Sequence, residues 1–421
     1  MTRVAGRVTG SQVVRLLLHV LVPAVSAAAP LAVIPAVTSR FGASGWSAVA
    51  VGMSVGVAAA VVAELGWSIV GPVRIARDPE ARAAVFARAL ASKLIATAVL
   101  LPVVVVVTAL LVDRHVLAAV LVAVGVALGA LSPTWYFVGL GRPGRVVLTE
   151  ALPRVVLALA AAAALVVGAP LEAYGSCLVL AVVATAVLTP LVDDAARFPS
   201  RQAFAEVPLV VREQAVLVLG RAVTTTYKSL PVALLGVTAP ASVAAFAATD
   251  RPLRMGLQVL SAVPDRLQTW VGTPDAELAR RRSAVSLGVN TGLGVVAGTV
   301  FAVAMPSVSG WLFAGAVDVG RDLAVWGGAL VTVICSSRGA GLALVSAGRH
   351  GHTTTAAIAA ALVGVPGVLA AGAAAGATGA VAALVLAEGV GLVVQLGLLV
   401  GAGGRAGPVL ATRASLTGAS S

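Results

Sequence analysis

Arg221, Thr224, Thr225 and Lys228 follow a spacing that puts all four on one face of a helix. Asp250, Arg254, Gln258, Ser261 and Asp265 make a second polar stripe, with Arg251 beside it. Both stripes interrupt apolar sequence. A charge at the centre of a bilayer costs roughly 2.5–3.5 kcal/mol even on the lenient insertion scale, so these side chains must face protein or water. Four bases, Arg221, Lys228, Arg251 and Arg254, stand there against one acid, Asp250. A buried network in which Asp250 neutralises Arg254 would absorb only part of that excess. The pattern therefore points to a cationic, water-filled cavity that receives an anionic ligand. Arginine offers phosphate a bidentate fork, and lysine offers a point charge.

Arg338, Glu64 and Glu388 stand alone in other apolar runs. Arg338 is a further candidate for the cationic site. Asp250, Glu388 and Glu64 are the candidates for proton or Na⁺ exchange. Glu388 shares a helical face with Gln395, and Glu64 with Ser68, so a helix–helix hydrogen bond is the competing reading for each. Arg15, Lys93 and Arg154 lie within a few turns of a span end and are expected to snorkel, with Glu150 pairing Arg154 four residues on. Trp46, Trp67, Trp270 and Trp311 fall at span ends and are expected to be interfacial anchors. His350 and His352 lack a third ligand, so no metal is expected. The chain has neither a GxxxxGK[ST] loop nor an HExxH motif. It is read as a non-enzyme with no cofactor.

The elements that carry these residues follow from composition. Hydrophobic residues are 59% of the chain and charged residues 11%, against roughly 45–50% and 25% in soluble domains. The apolar residues form blocks of about 20, the length of a spanning helix. The fold class is thus an all-α, polytopic membrane protein of about twelve helices. The spans are expected at 13–37, 46–71, 90–112, 116–138, 146–168, 173–192, 213–237, 241–265, 283–305, 323–347, 353–373 and 377–400. Arg3, Arg7 and the run 13–37 share features with a signal peptide. The run is too long for that and is read as an uncleaved first helix. Cys177 and Cys335 fall in separate runs and argue against a disulfide framework.

Charge orients the spans. With the N-terminus inside, the inner loops hold 18 arginines and the outer loops only Arg40, Arg114 and Arg321. Basic residues favour the cytoplasmic side, so both termini are expected in the cytoplasm, and the net charge of +12 needs no nucleic-acid partner. Residues 35–52, PAVTSRFGASGWSAVAVG, echo residues 231–248, PVALLGVTAPASVAAFAA. Each has a proline in a helix, an apolar–Gly pair and a turn of small residues. The echo implies two pseudo-symmetric six-helix halves, residues 1–200 and 201–421, repeated in parallel about the membrane normal.

Four stretches carry a family resemblance. They are RFGASGWSAVAVG, ELGWSIVGPVRIARD (64–78), SPTWYFVGLGRPGRVVLTEALPRV (132–155) and the segment 219–254. The third, with its Pro-x-Trp-aromatic-aromatic-x-Gly core, is the most specific. Together they resemble the polysaccharide-export, O-antigen flippase-like branch of the multidrug/oligosaccharidyl-lipid/polysaccharide exporter superfamily. Val138 and Gly141 replace the usual Gln and Glu of that branch, and Asp250–Arg251 stands where Glu-Lys is common. The resemblance implies export of a polyprenyl-pyrophosphate-linked oligosaccharide across the cell membrane by alternating access. It also implies membrane lipids, a polysaccharide polymerase and glycosyltransferases as partners. A cation or drug antiporter of the same superfamily would favour an acidic cavity. A lipid II flippase would have two more spans. A polyprenyl-sugar transferase would need a larger outer loop than residues 306–322 provide.

Overall fold

The computed structural model describes the backbone of residues 10–273 and 275–401. It describes side chains from residue 32 onward, apart from 216, 217, 219–226, 265, 269, 276 and 350. Every regular element among the described residues is helical, as hydrocarbon demands of a backbone that must satisfy its own hydrogen bonds. In chain order the main helices begin with α1 (Gly10–Ala63), α2 (Trp67–Arg77), α3 (Arg82–Leu111), α4 (Val116–Gly139), α5 (Pro143–Val166) and α6 (Glu172–Val192). Then come α7 (Val207–Ser229), α8 (Pro231–Thr238), α9 (Val243–Leu260) and α10 (Ala262–Val271). The last three are α11 (Ala276–Leu312), α12 (Arg321–Ser346) and α13 (His350–Val400).

Eight helices among the described residues are long and apolar enough to cross a bilayer, fewer than the twelve the sequence leads one to expect. The expected spans 13–37 and 213–237 include side chains outside the described residues, and two physical causes act on the rest. First, the longest helices are folded. A straight α13 of 51 residues would reach about 75 Å at 1.5 Å per residue, more than twice the hydrocarbon thickness. It bends back at Gly376, which takes φ 59° and ψ −138°. Its two arms then touch: a β-carbon on Gly364 would lie 3.1 Å from that of Ala387, and one on Gly391 3.3 Å from that of Ala360. α1 breaks likewise at Gly42, at φ 61° and ψ −158°. Second, the region α7–α10 is interrupted at Leu230 and Ala239 and carries Lys228, Asp250, Arg251 and Arg254. The residues of chemical interest are the ones that lower its apolarity.

Small residues let the helices approach closely. A β-carbon at Gly298 of α11 would sit 2.3 Å from the Gly328 carbonyl oxygen of α12, and one at Gly328 equally close to the Gly298 oxygen. Gly52 and Gly56 of α1 meet the backbone of Ala119 and Ala123 of α4 in the same way. The two turns that echo each other in sequence are built differently. One is the left-handed Gly42, and the other an extended Ala239 followed by a 3₁₀ turn over Pro240–Ser242.

Two tryptophans are not the interfacial anchors expected. Trp46 is 3% exposed and its ring lies 5.4 Å from that of Phe313. Trp67 is fully buried and its indole N–H donates to Ser92 Oγ at 3.0 Å. Both stand at span ends in sequence, but the helices there pack on one another and exclude the interface. Trp270 and Trp311 are exposed.

Candidate functional site

The ends of α7 and α9, the middle of α12 and both arms of α13 enclose a cavity of about 560 Å³. Its wall holds Lys228, Arg254, Arg338 and Glu388, with Tyr227, Gln258, Ser337 and Gln395 between them. The helical stripe read from the sequence explains α9: Arg254, Gln258 and Ser261 all face this space. Glu388 and Gln395 also share it, from the second arm of α13.

The cations are held in different ways. Arg254 gives its Nε to Asp250 Oδ2 at 2.7 Å and its Nη2 to the Lys228 carbonyl oxygen at 2.7 Å. That carbonyl lies close to the break at Leu230, where helical acceptors go unfilled. Arg338 donates to the Leu257 carbonyl at 2.8 Å. Both guanidiniums are thereby fixed with donors to spare. Lys228 is exposed to the cavity, and its ammonium has no ion-pair or hydrogen-bond partner among the described residues. Glu388 accepts from the Tyr227 hydroxyl at 3.3 Å and is 9% exposed.

Asp250 stands behind Arg254 and does not line the cavity. Arg251 does not line it either; its electrostatic neighbours are Asp250 and Tyr174 of α6. The side chain of Arg221, with those of Thr224 and Thr225, lies outside the described residues. The structure therefore brings together Lys228, Arg254, Arg338 and Glu388, with Asp250 as support. Among the described residues this group holds three cations and two carboxylates.

Glu64 belongs elsewhere. It follows the end of α1, accepts from the Ser68 amide at 3.0 Å and lines a second cavity of about 500 Å³. Lys93, Ser132, Thr134, Glu150 and Arg154 share that space. Sequence reasoning undervalued this group. Lys93 does not snorkel: it is 2% exposed, its ammonium donates to the Ser132 carbonyl at 3.4 Å and it stands 5.6 Å from the Trp135 ring. Glu150 accepts from the Ser132 and Thr134 hydroxyls and pairs with Arg154 at 2.8 Å. The missed signal is Ser132 and Thr134 flanking Pro133, a polar turn inside an apolar run.

The walls of both cavities reach residues near the basic loops. Ser261 and Thr353 flank the first, near Arg266 and Arg349 in sequence, and Ser68 and Pro72 flank the second, near Arg74. Elsewhere, Trp46 packs on Phe313, and Ser54 donates to the Ser229 carbonyl.

No protein-family model matches the sequence, and no curated protein matches it. Solved structures do. A multidrug resistance MATE family transporter of the MOP superfamily, in an inward-facing conformation, matches with a TM-score of 0.60 at 14% identity, over 92% of this chain and 96% of that one. The lipid II flippase MurJ, in an inward closed conformation, matches with a TM-score of 0.59 at 8% identity, over 92% and 87%. A MOP superfamily transporter from Pyrococcus furiosus matches with a TM-score of 0.55 at 13% identity, over 93% and 96%. The chain has the fold of the MOP-superfamily transporters.

Proposed function

We propose that this chain is a transporter that moves a lipid-linked oligosaccharide, carried on a polyprenyl pyrophosphate, across the cell membrane for surface polysaccharide synthesis. One observation carries the reading: the Lys228 ammonium, without a partner among the described residues, shares a cavity of about 560 Å³ with Arg254 and Arg338. A pyrophosphate–sugar headgroup is anionic and cannot cross hydrocarbon alone. In this cavity it gains charge-assisted hydrogen bonds from fixed guanidinium forks, while its polyprenyl tail stays in lipid. Two six-helix halves, residues 1–200 and 201–421, would rock against one another so that the cavity, whose wall lies wholly in the second half, faces each side in turn. Both termini would lie in the cytoplasm, and the enzymes that build and polymerise the oligosaccharide would be its partners. A lipid II flippase among the fold neighbours supports a lipid-linked cargo on this scaffold.

The second reading is a drug or cation antiporter. Glu388 on the cavity wall and the likeness to a multidrug transporter favour it. Reconstituted vesicles separate the two. The protein should accelerate translocation of a fluorescent polyprenyl-pyrophosphate oligosaccharide and leave uptake of a cationic dye at the protein-free rate. The opposite pattern would establish the antiporter instead.

A further inference from the structure

A third chamber, of about 280 Å³, lies between α3 and α6, closed at its inner end by the last turns of α4. Leu90, Leu94, Leu128, Leu131 and Val182 line it. α3 packs against α1 and α4 but not along α6, so the chamber sits in a gap between two helices. The outward faces of those helices are apolar and exposed, as at Val99 and Val187, which is how a surface looks when it meets acyl chains.

The inner end of this chamber is polar. Gly129, Ser132, Glu150 and Arg154 line it and also line the cavity that holds Lys93. They form a wall between hydrocarbon on one side and a water-accessible space on the other. Arg154 is the exposed part of that wall. Its side chain is 50% exposed and pairs with Glu150 at 2.8 Å, which leaves most of its guanidinium donors unused. Glu150 is held back by the Ser132 and Thr134 hydroxyls, from a π-helical turn over Val147–Ala151. Gly129 lies beside Arg154, where a β-carbon would make only ordinary contact with Nη2 at 3.7 Å. At the chamber itself Arg154 stands beside Glu150, while Lys93 and Glu64 line only the polar cavity behind the wall.

We propose that this chamber is a lateral binding site for a phosphate-bearing hydrocarbon chain drawn from the bilayer, with the chain between α3 and α6 and the phosphate on Arg154. The apolar lining fits a chain and nothing charged. The guanidinium donors that Arg154 leaves unused at its inner end fit an anionic head. The junction of the two selects a molecule that has both. Identifying this ligand with the cargo rests on the proposed function; its binding does not.

The test uses the full chain in nanodiscs and a diazirine-bearing prenyl phosphate, with the matching uncharged prenol as the second probe. Removing one charge-assisted hydrogen bond lowers occupancy about tenfold. Prenyl phosphate should label the α3 and α6 segments around Leu94 and Val182 about tenfold more than the prenol does. Inorganic phosphate at equal concentration should not compete. Arg154→Gln should cut labelling about tenfold, and so should Val182→Trp, which fills the chamber and leaves the Arg154–Glu150 pair intact. Equal labelling by the prenol overturns the proposal, as does full competition by inorganic phosphate. Unchanged labelling in the Val182→Trp protein also overturns it. Labelling is read without transport, so labelling without translocation counts against the proposed function alone, and translocation without labelling counts against this site alone.

Discussion

Arg254 Nε lies 2.7 Å from Asp250 Oδ2, one helical turn back along α9. The pair is lopsided: the Asp250 side chain is 8% exposed and that of Arg254 40%. Asp250 Oδ1 is moreover buried without a hydrogen-bond partner among the described residues. Removing the arginine strands a buried carboxylate, whereas removing the acid leaves a cation that water can reach. Breaking a buried pair costs about 3 kcal/mol at the low end, and the partial exposure of Arg254 places this pair there. Arg254→Gln should therefore lower the unfolding temperature in detergent more than Asp250→Asn does, and the double variant should recover most of the loss. Equal destabilisation by the two single changes would show that the acid is not the dependent partner.

Lys228 makes the opposite case. Its ammonium has no partner among the described residues and faces the cavity, so neutralising it costs the fold little. Lys228→Gln should leave protein abundance and unfolding temperature unchanged and reduce translocation of the lipid-linked oligosaccharide about tenfold, the worth of one hydrogen bond to a charged group. Lys228→Arg should retain most of the rate. A fully active Lys228→Gln protein would remove the observation on which the anionic-cargo reading rests.

Much of this was legible in the sequence, for identifiable reasons. Helical spacing alone put Arg254, Gln258 and Ser261 on one face and Glu388 with Gln395 on another, and both faces line the same cavity. Helical spacing does not reveal which way a neighbouring residue turns. Arg251, adjacent to Asp250 in sequence, stays off the cavity wall for that reason. Distance from a span end was a poor guide to burial, because it ignores what packs alongside. Lys93 and Trp67 stand near ends, yet α3, α4 and the start of α2 close over them. The number of spans depends on glycines at positive φ. Gly42 and Gly376 look like any of the other glycines until the backbone shows that the chain turns there.

Topology can be checked at the turns themselves. Reporter fusions at Pro170, Pro240, Gly315 and Gly376 should report the outside, and fusions at Glu80, Ala205 and Gly272 the cytoplasm. The basis is the arginine bias of alternate loops. The Gly376 fusion is the most informative, because it separates a folded α13 from a single long helix. A cytoplasmic signal at both Pro240 and Gly315 would mean that the region α7–α10 does not cross in the way the cationic cavity requires.

The last prediction concerns energy coupling. Three acids were candidates, and the structure separates them by access. Asp250 is locked to Arg254 behind the wall, and Glu64 lines the other cavity. Only Glu388 combines a place on the wall of the cationic cavity with a neutral partner, the Tyr227 hydroxyl at 3.3 Å. Glu388 shares the cavity with Lys228, so it is the candidate acid placed to meet both the cargo and an exchanging ion. We therefore expect Glu388 to be the group through which a proton gradient drives transport. In vesicles, wild-type translocation should rise severalfold under an imposed pH gradient. Glu388→Gln, fixed in a neutral state, should run at one rate whatever the gradient. Tyr227→Phe, which keeps the acid and removes only its hydrogen bond, should still respond to the gradient. If Glu388→Gln keeps the full gradient response, coupling lies elsewhere, and Asp250→Asn is the next variant to measure.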